Sequence, residues 1–274
     1  MIYLVTDSTA YLTKKEARDL KVLVVPMHYI KGGRETFQEG FVEDWQPGQA
    51  GDLADCTTAQ APTSAFVDLF GQLKAQGHQA LCITISSRLS GTYANALKAS
   101  EEVGEGIQVL DSRTTAGAQY LLLREARRLI DGGADLHTCF ESLRAMRKQT
   151  RTIFTIQDME PLRRSGRLGI VRSSVSTLLN LRPLLALQDG SVVSHALARG
   201  KQDQLRQMVV GLSGHPEEAV VQYAGEEDAA DALIQRLKDQ DVKVLKRRIG
   251  IVLGIHLGLP ILSLAWIDKE NHAS

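Results

Sequence analysis

Between Leu81 and Ala96 an apolar, partly β-branched run, Leu81-Cys82-Ile83-Thr84-Ile85, gives way to Ser86, Ser87, Ser90, Gly91 and Thr92, and then to a helical pattern. The hydroxyls therefore fall on a strand-to-helix turn. The first N–H groups of a helix have no intrahelical partner, and the peptide dipoles place partial positive charge at the same end. Ser86, Ser87, Ser90 and Thr92 add hydroxyl donors for a carboxylate or phosphate, and Gly91 permits close backbone approach. A plain N-cap role for Ser90 stands beside this reading. No Gly-x-x-x-x-Gly-Lys run is present, which excludes a nucleotide P-loop.

A second polar stretch, Thr57-Thr58-Ala59-Gln60-Ala61-Pro62-Thr63, precedes an amphipathic helix expected over Ser64 to Gln76. Thr63 can cap that helix, or the stretch can face the same crevice as Ser90. His256 sits in an apolar run, where a satisfied core histidine is the ordinary outcome. Ser90, His256 and Asp7 or Asp111 have the residue types of a hydrolase triad, so an esterase or acyl-transfer enzyme is one alternative. Ser90 is not in a Gly-x-Ser-x-Gly elbow, however. A regulatory module sensing an anionic metabolite is a third reading. Metal-ligand spacing is absent, and neither a metal nor a cofactor is expected.

These residues need a scaffold. Ile2–Val5 and Val22–Pro26 read as strands around a helix capped by Thr13, a βαβ unit that predicts a parallel sheet. Residues 30–57 form a long connection with one short strand and one short helix. After the Ser90 turn come a helix to about Val103, a strand at Ile107–Leu110, a helix over Ala116 to Asp131 stopped by Gly132-Gly133, and a helix from Leu136 to Gln149. The strand ends in this half carry Ser, Thr or Asp, and ligands of open α/β sheets bind outside such ends. From Thr152 the pattern changes. A strand to Ile156, a short helix at Met159–Arg164, a buried helix at Val175–Leu181, a hairpin around Asp189-Gly190 and further strands and helices give a second unit. The expected fold is two α/β domains, 1–150 with a parallel sheet and 151–274.

Composition narrows the function. Of the 274 residues 43% are apolar, and 32 basic residues balance 32 acidic ones, so no global field recruits nucleic acid. Between Pro161 and Arg206, Arg163, Arg164, Arg167, Arg172, Arg182, Arg199, Lys201 and Arg206 face only Asp189 and Asp203. A local anionic ligand or partner, or simply a solvated face, accounts for this. Cys56, Cys82 and Cys139 lack paired spacing and fit reduced thiols of a cytoplasmic protein. Ile249 to Ile267 carries no formal charge over 19 residues, but its glycines and Pro260 suit two buried strands around a turn rather than a membrane span.

The polar stations also form an ordered set: Val5-Thr6-Asp7-Ser8-Thr9-Ala10, Thr58-Ala59-Gln60, Ile85-Ser86-Ser87, Leu89-Ser90-Gly91-Thr92-Tyr93, Asp111-Ser112, Met159 to Leu168 with Ser165-Gly166-Arg167, Leu178 to Pro183, Gly190, Arg199 and Gly254-Ile255-His256. In this the chain resembles, over its whole length, the DegV family of bacterial fatty-acid-binding proteins, which includes the acyl-binding subunits of fatty acid kinase. The resemblance implies a ligand cleft and tunnel between the two α/β domains that holds a long-chain fatty acid, presented to a separate kinase subunit. It implies a carrier rather than an enzyme, with at most transient membrane contact. It makes Thr58, Ser90 and His256 carboxylate contacts, Arg167 and Arg199 residues that serve the phosphorylated head group or its presentation, and Ser86, Ser87, Gly91 and Thr92 the supporting turn. The family's Thr-Ser-Gln-Pro appears here as Thr58-Ala59-Gln60-Ala61, and its Gly-Pro-Gly after the histidine as Gly258-Leu259-Pro260. Expected tail-lining residues are Leu178, Leu179, Leu181, Leu184, Leu185, Leu187, Ile261 and Leu262.

Overall fold

The apolar N-terminal run becomes β1 (Ile2–Asp7), an inner strand of a four-stranded sheet in the computed structural model of the chain. The structure describes residues 1–45, 53–167, 181–214 and 216–268. β1 pairs in parallel with β2 (Val22–Val25) on one side and β6 (Gln79–Thr84) on the other, and β6 continues to β7 (Ile107–Asp111). Helices α1 (Lys14–Asp19), α2 (Thr63–Ala75) and α3 (Thr92–Val103) supply the connections. Thr13 starts α1 with a capping box: its hydroxyl accepts from Glu16 N–H at 3.0 Å, and the Glu16 carboxylate accepts from Thr13 N–H at 2.8 Å. The winding reverses between β1 and β6, so a crevice forms outside their carboxyl ends.

Residues 30–57 hold more structure than their polarity suggests. β3 (Met27–Lys31), β4 (Glu35–Glu39) and β5 (Cys56–Ala59) form an antiparallel sheet, with the β3–β4 turn made by Gly32 and Gly33 at φ of 58° and 68°. Glu-Thr-Phe-Gln-Glu of β4, exposed except for the buried Glu39, has no apolar alternation, which is why its pattern predicts no second strand here. α2 begins at Thr63 with Pro62 as its N-cap, so Thr63 lies inside the helix rather than capping it.

After α4 (Ala116–Asp131) and α5 (Leu136–Met146), β8 (Thr150–Thr155) opens a second sheet. It has six strands in the order β10-β9-β8-β13-β11-β12, formed with β9 (Leu181–Gln188), β10 (Ser191–Arg199), β11 (Glu218–Ala224), β12 (Lys243–Arg248) and β13 (Ile261–Ile267). Only β11 and β12 pair in parallel. The Asp189-Gly190 turn joins β9 to β10 as expected, both residues having positive φ. α7 (Gly200–Val210) and α8 (Glu227–Lys238) cover one face of this sheet through Leu205, Met208, Leu233 and Leu237. α4 lies between the two sheets, in one core with Leu4, Leu81 and Ile83 of the first and Val220 and Ala265 of the second. Gly117 permits that approach, since a Cβ there would stand 3.1 Å from the side chains of both Ala265 and Val220.

The apolar stretch 249–267 differs from expectation. Its first part is a short helix, α9 (Ile251–Leu257), and only Ile261–Ile267 is a strand. Gly250 and Gly254 point to strands and turns, but Gly250 is the N-cap of the helix, where a Cβ would stand 2.1 Å from the Glu39 carboxylate, and Gly254 lies within it. Among the described residues no helix is long and apolar enough to cross a membrane. The helix expected at Val175–Leu181, with Leu178, Leu179 and Arg172, lies outside the described residues except for Leu181, which opens β9. The basic surplus is partly offset by folding: Arg163 pairs with Glu160, Lys201 with Glu226 and Arg206 with Asp203.

Candidate ligand-binding cavity

A cavity of about 340 Å³ opens where the crevice of the first sheet meets α9 and the inner face of the second. Thr58, Gln60, Ser90, Gly91, Arg167 and His256 line it together, although they come from four separate parts of the chain. β5 carries Thr58, the β6–α3 turn carries Ser90, and the last turn of α9 carries His256. α6 (Glu160–Arg164) leads to Arg167. Apolar walls include Leu89, Phe154, Leu162, Val192, Ile249 and Leu253.

The β6–α3 turn is held from below. Asp7, fully buried, accepts from Ile85 N–H at 2.6 Å and from both the hydroxyl and the N–H of Thr9. Burial raises its carboxyl above the ordinary range even against these bonds. Ser86 donates to the Gly190 carbonyl at 2.9 Å, tying this turn to the β9–β10 hairpin. The Ser87 hydroxyl donates to Asp111 at 2.6 Å. Both hydroxyls are thus committed to the scaffold. Gly91 serves packing, because a Cβ there would overlap the Gln60 amide at 2.0 Å, and Gly91 rather than Ser90 is the N-cap of α3.

At the polar end, Thr58 Oγ1 lies 2.7 Å from His256 Nε2. His256 is mostly buried, and its Nδ1 has no partner among the described residues. Burial pushes its pKa down to about 4, with the Arg167 cation adding to the effect, so the ring is neutral at physiological pH. Ser90 Oγ is 2.9 Å from Thr92 Oγ1, which also reaches the Met27 sulfur at 3.3 Å and accepts from Ala61 N–H at 3.3 Å. A thioether is a weak acceptor, so the Thr92 proton can turn to Ser90 and leave the Ser90 proton for the cavity. Arg167 donates from Nε to the Leu89 carbonyl at 3.3 Å and is exposed at the rim. Arg199 is not among the lining residues. It ends β10 on the surface, its N–H bonded to Asp203 at 2.8 Å.

The triad geometry is not formed among the described residues. His256 Nε2 is engaged by Thr58 and Ser90 by Thr92, while Asp7 and Asp111 hold backbone and serine groups of the turn. Of the expected tail contacts, Leu187 and Ile261 line the cavity, whereas Leu184, Leu185 and Leu262 pack in the sheet cores and Leu181 opens β9 away from the lining.

Two further residues position α9. Glu39 on β4 is buried and accepts from Val252 N–H at 3.3 Å, and the Tyr11 hydroxyl accepts from Leu253 N–H at 3.0 Å. Gly250 makes room for both, since a Cβ would stand 2.1 Å from the Glu39 carboxylate. Neither residue has a sequence signal beyond its type, because the contact joins positions more than 200 apart. If the neutral His256 ring is fixed by Thr58, long-range nitrogen–proton NMR should find no titration of that ring between pH 5 and 8. A midpoint near the ordinary histidine value would contradict the buried geometry.

Residues 1–269 match the protein family described as DegV family COG1307. The chain belongs to the DegV family. A DegV domain-containing protein of Halalkalibacterium halodurans is 34% identical over 283 aligned positions, covering 98% of this chain and 99% of that one. Protein DegV of Bacillus subtilis is 28% identical, with 98% and 99% covered. Among solved structures, a DegV family protein from Thermus thermophilus, described for its fatty acid binding, superposes with a TM-score of 0.88 at 26% identity, covering 98% of this chain and 99% of its own. The Bacillus subtilis DegV structure, described as a fatty acid binding protein, gives 0.84 at 28% identity with the same coverage. The mixed α/β architecture is therefore the DegV fold.

Proposed function

We propose that this DegV protein binds a long-chain fatty acid between its two sheets, with the carboxylate at Thr58, Ser90 and His256. The observation that carries the reading is the cavity lining, in which Thr58, Gln60, Ser90, His256 and Arg167 bring hydroxyl, amide, imidazole and guanidinium groups to one space with aliphatic and aromatic walls. The fatty-acid-binding DegV structures from Thermus thermophilus and Bacillus subtilis support it. A division into domains 1–150 and 151–274 follows the change of sheet at β8. The three buried cysteine thiols suit a reducing, cytoplasmic setting.

A partly buried carboxylate needs donors, because an unpaired charge taken out of water costs several kcal/mol. With the proton of the neutral His256 ring on Nε2, the ring donates to Thr58 Oγ1, and the Thr58 proton is free for the acid. The opposite tautomer would consume that proton. Ser90 supplies a second donor and Arg167 a nearby positive charge. Tail burial contributes roughly 0.8 kcal/mol per methylene, so hydrocarbon supplies most of the affinity and the polar end sets orientation.

The exposed rim at Arg167 suits transfer chemistry performed by a separate fatty acid kinase subunit, to which this chain presents the acid. Arg199, outside the cavity, is assigned to the partner-facing surface. Organic extraction of the purified protein followed by mass spectrometry should yield fatty acid. An empty protein that refuses labelled palmitate and oleate would overturn the reading. With a kinase subunit and labelled ATP, Arg167→Ala should slow phosphate transfer to the bound acid more than it weakens binding.

A further inference from the structure

The cavity has a second polar site, reached further along β13 and β8 than Ile261. Thr115 and Thr152 both line it, both are more than nine-tenths buried, and neither hydroxyl has a partner among the described residues. Ser263, also buried, lines the same region. Their depth follows from strand register. Ile261 enters the sheet just after α9, and Ser263 lies two residues further along β13 beside Phe154 of β8. Thr152 lies opposite Ala265, two residues further again. At roughly 3.3 Å per residue, the Thr152 row is about 13 Å deeper than Ile261. The start of α4, with Thr115 and Ala116, closes the floor where Gly117 meets Ala265.

A hydrocarbon terminus resting on this floor leaves two buried hydroxyls unpaired, an arrangement that native interiors avoid. Neither hydroxyl has an evident structural duty. Thr115 is the N-cap of α4 yet makes no side-chain cap bond, and Thr152 sits on a strand paired on both sides through its backbone. A hydroxyl is both donor and acceptor, so one neutral oxygen on the ligand can bond to both threonines. The basic side chains nearby, Arg113, Arg147, Lys148 and Arg151, line a neighbouring cleft that shares Thr152 and Leu187 with the cavity, and none of the four lines the cavity itself. The floor itself therefore offers hydroxyls and no cation, which fits a neutral oxygen better than a second carboxylate.

We propose that Thr115 and Thr152 form a distal specificity site for long-chain acids carrying a hydroxyl on the far part of the chain. This rests on the fatty-acid reading above and adds to it a ligand class and two specificity residues. The test offers the protein an equimolar mixture of stearate and its positional monohydroxy isomers and reads the bound fraction by native mass spectrometry. One isomer substituted in the distal half should be enriched about tenfold over stearate. Thr115→Val with Thr152→Val should bring that enrichment to near unity while stearate still binds, and Thr152→Ser with Thr115 intact should keep it. If wild type takes stearate as readily as every hydroxy acid, or if the valine variants keep the preference, the distal site is wrong and fatty-acid binding stands. If no acid binds at all, both readings fall.

Discussion

Thr58→Val combined with Ser90→Ala should weaken fatty-acid binding by about 100-fold, measured by titration with a fluorescent or isotopically labelled long-chain acid. Hydrogen bonds to a charged group are worth roughly 1.5 to 3 kcal/mol each, and about 1.4 kcal/mol corresponds to a tenfold change in affinity. Loss of both donors at the lower figure gives the stated factor. The two sites belong to different elements, β5 and the β6–α3 turn, so each single variant should contribute about tenfold. Thr58 and His256 behave differently, because they are bonded at 2.7 Å and act on the ligand as one unit. A double-mutant cycle of Thr58→Val with His256→Phe should accordingly be less than additive. Thr58→Ser should retain most of the affinity, since it keeps the oxygen that links ring to ligand. Binding unchanged in the double variant would remove the carboxylate assignment while leaving the apolar cavity unaffected.

How much of this was legible follows from the range over which each signal acts. The parallel sheet was readable because β1, β2, β6 and β7 are short apolar runs separated by helical patterns and ending in polar turns, all local properties. The capping box at Thr13 and the Asp189-Gly190 hairpin were readable for the same reason. The antiparallel sheet around β4 was not, since a polar exposed strand is fixed by its partners rather than by its own residues. α9 runs against its local signal because Gly250 and Gly254 disfavour a helix, whereas Glu39 and the Tyr11 hydroxyl accept from N–H groups of its first turn, contacts that no local pattern reveals. Thr58, Ser90 and His256 were marked on family resemblance, and they do line one cavity. The tail contacts were harder. Leu184 is as apolar as Leu187, and only the strand pleat turns it to the opposite face, into the core with Leu205 and Leu264. Most of the cavity wall is contributed by residues such as Phe154 and Leu253, which in sequence are indistinguishable from core.

Glu39→Gln should remove a large part of the alkaline loss of stability of this protein. The Glu39 carboxyl is buried against α9, and burial raises its pKa to about 8, outweighing the backbone N–H groups of Val252 and Ile251 that favour the charged form. Nearby Asp44 and Asp7 push in the same direction, and the Tyr11 hydroxyl beside it is held neutral by burial. Between the ordinary glutamate value of 4.5 and about 8, the folded chain thus keeps a proton that the unfolded chain releases. Stability falls with rising pH wherever the folded state binds more protons, and a shift of this size corresponds to several kcal/mol across the window. Buried Asp7, also raised, adds to the same slope. His256 acts oppositely: its folded value of about 4 lies below 6.5, so its contribution is present above 6.5 and lost as pH falls toward 4. The melting temperature of wild type should therefore peak in mildly acidic solution and decline toward pH 8. Glutamine keeps an oxygen for the Val252 N–H and cannot ionise, so Glu39→Gln should decline much less toward pH 8 and should peak at a higher pH, because the His256 rise between about 4 and 6.5 is then no longer offset. His256→Gln should instead begin its decline at a lower pH than wild type, because the Glu39 loss from 4.5 upward is then unopposed. Parallel declines of wild type and Glu39→Gln up to pH 8 would mean that Glu39 is ionised in the folded chain, and with it that α9 is held by a charge rather than by a neutral acid.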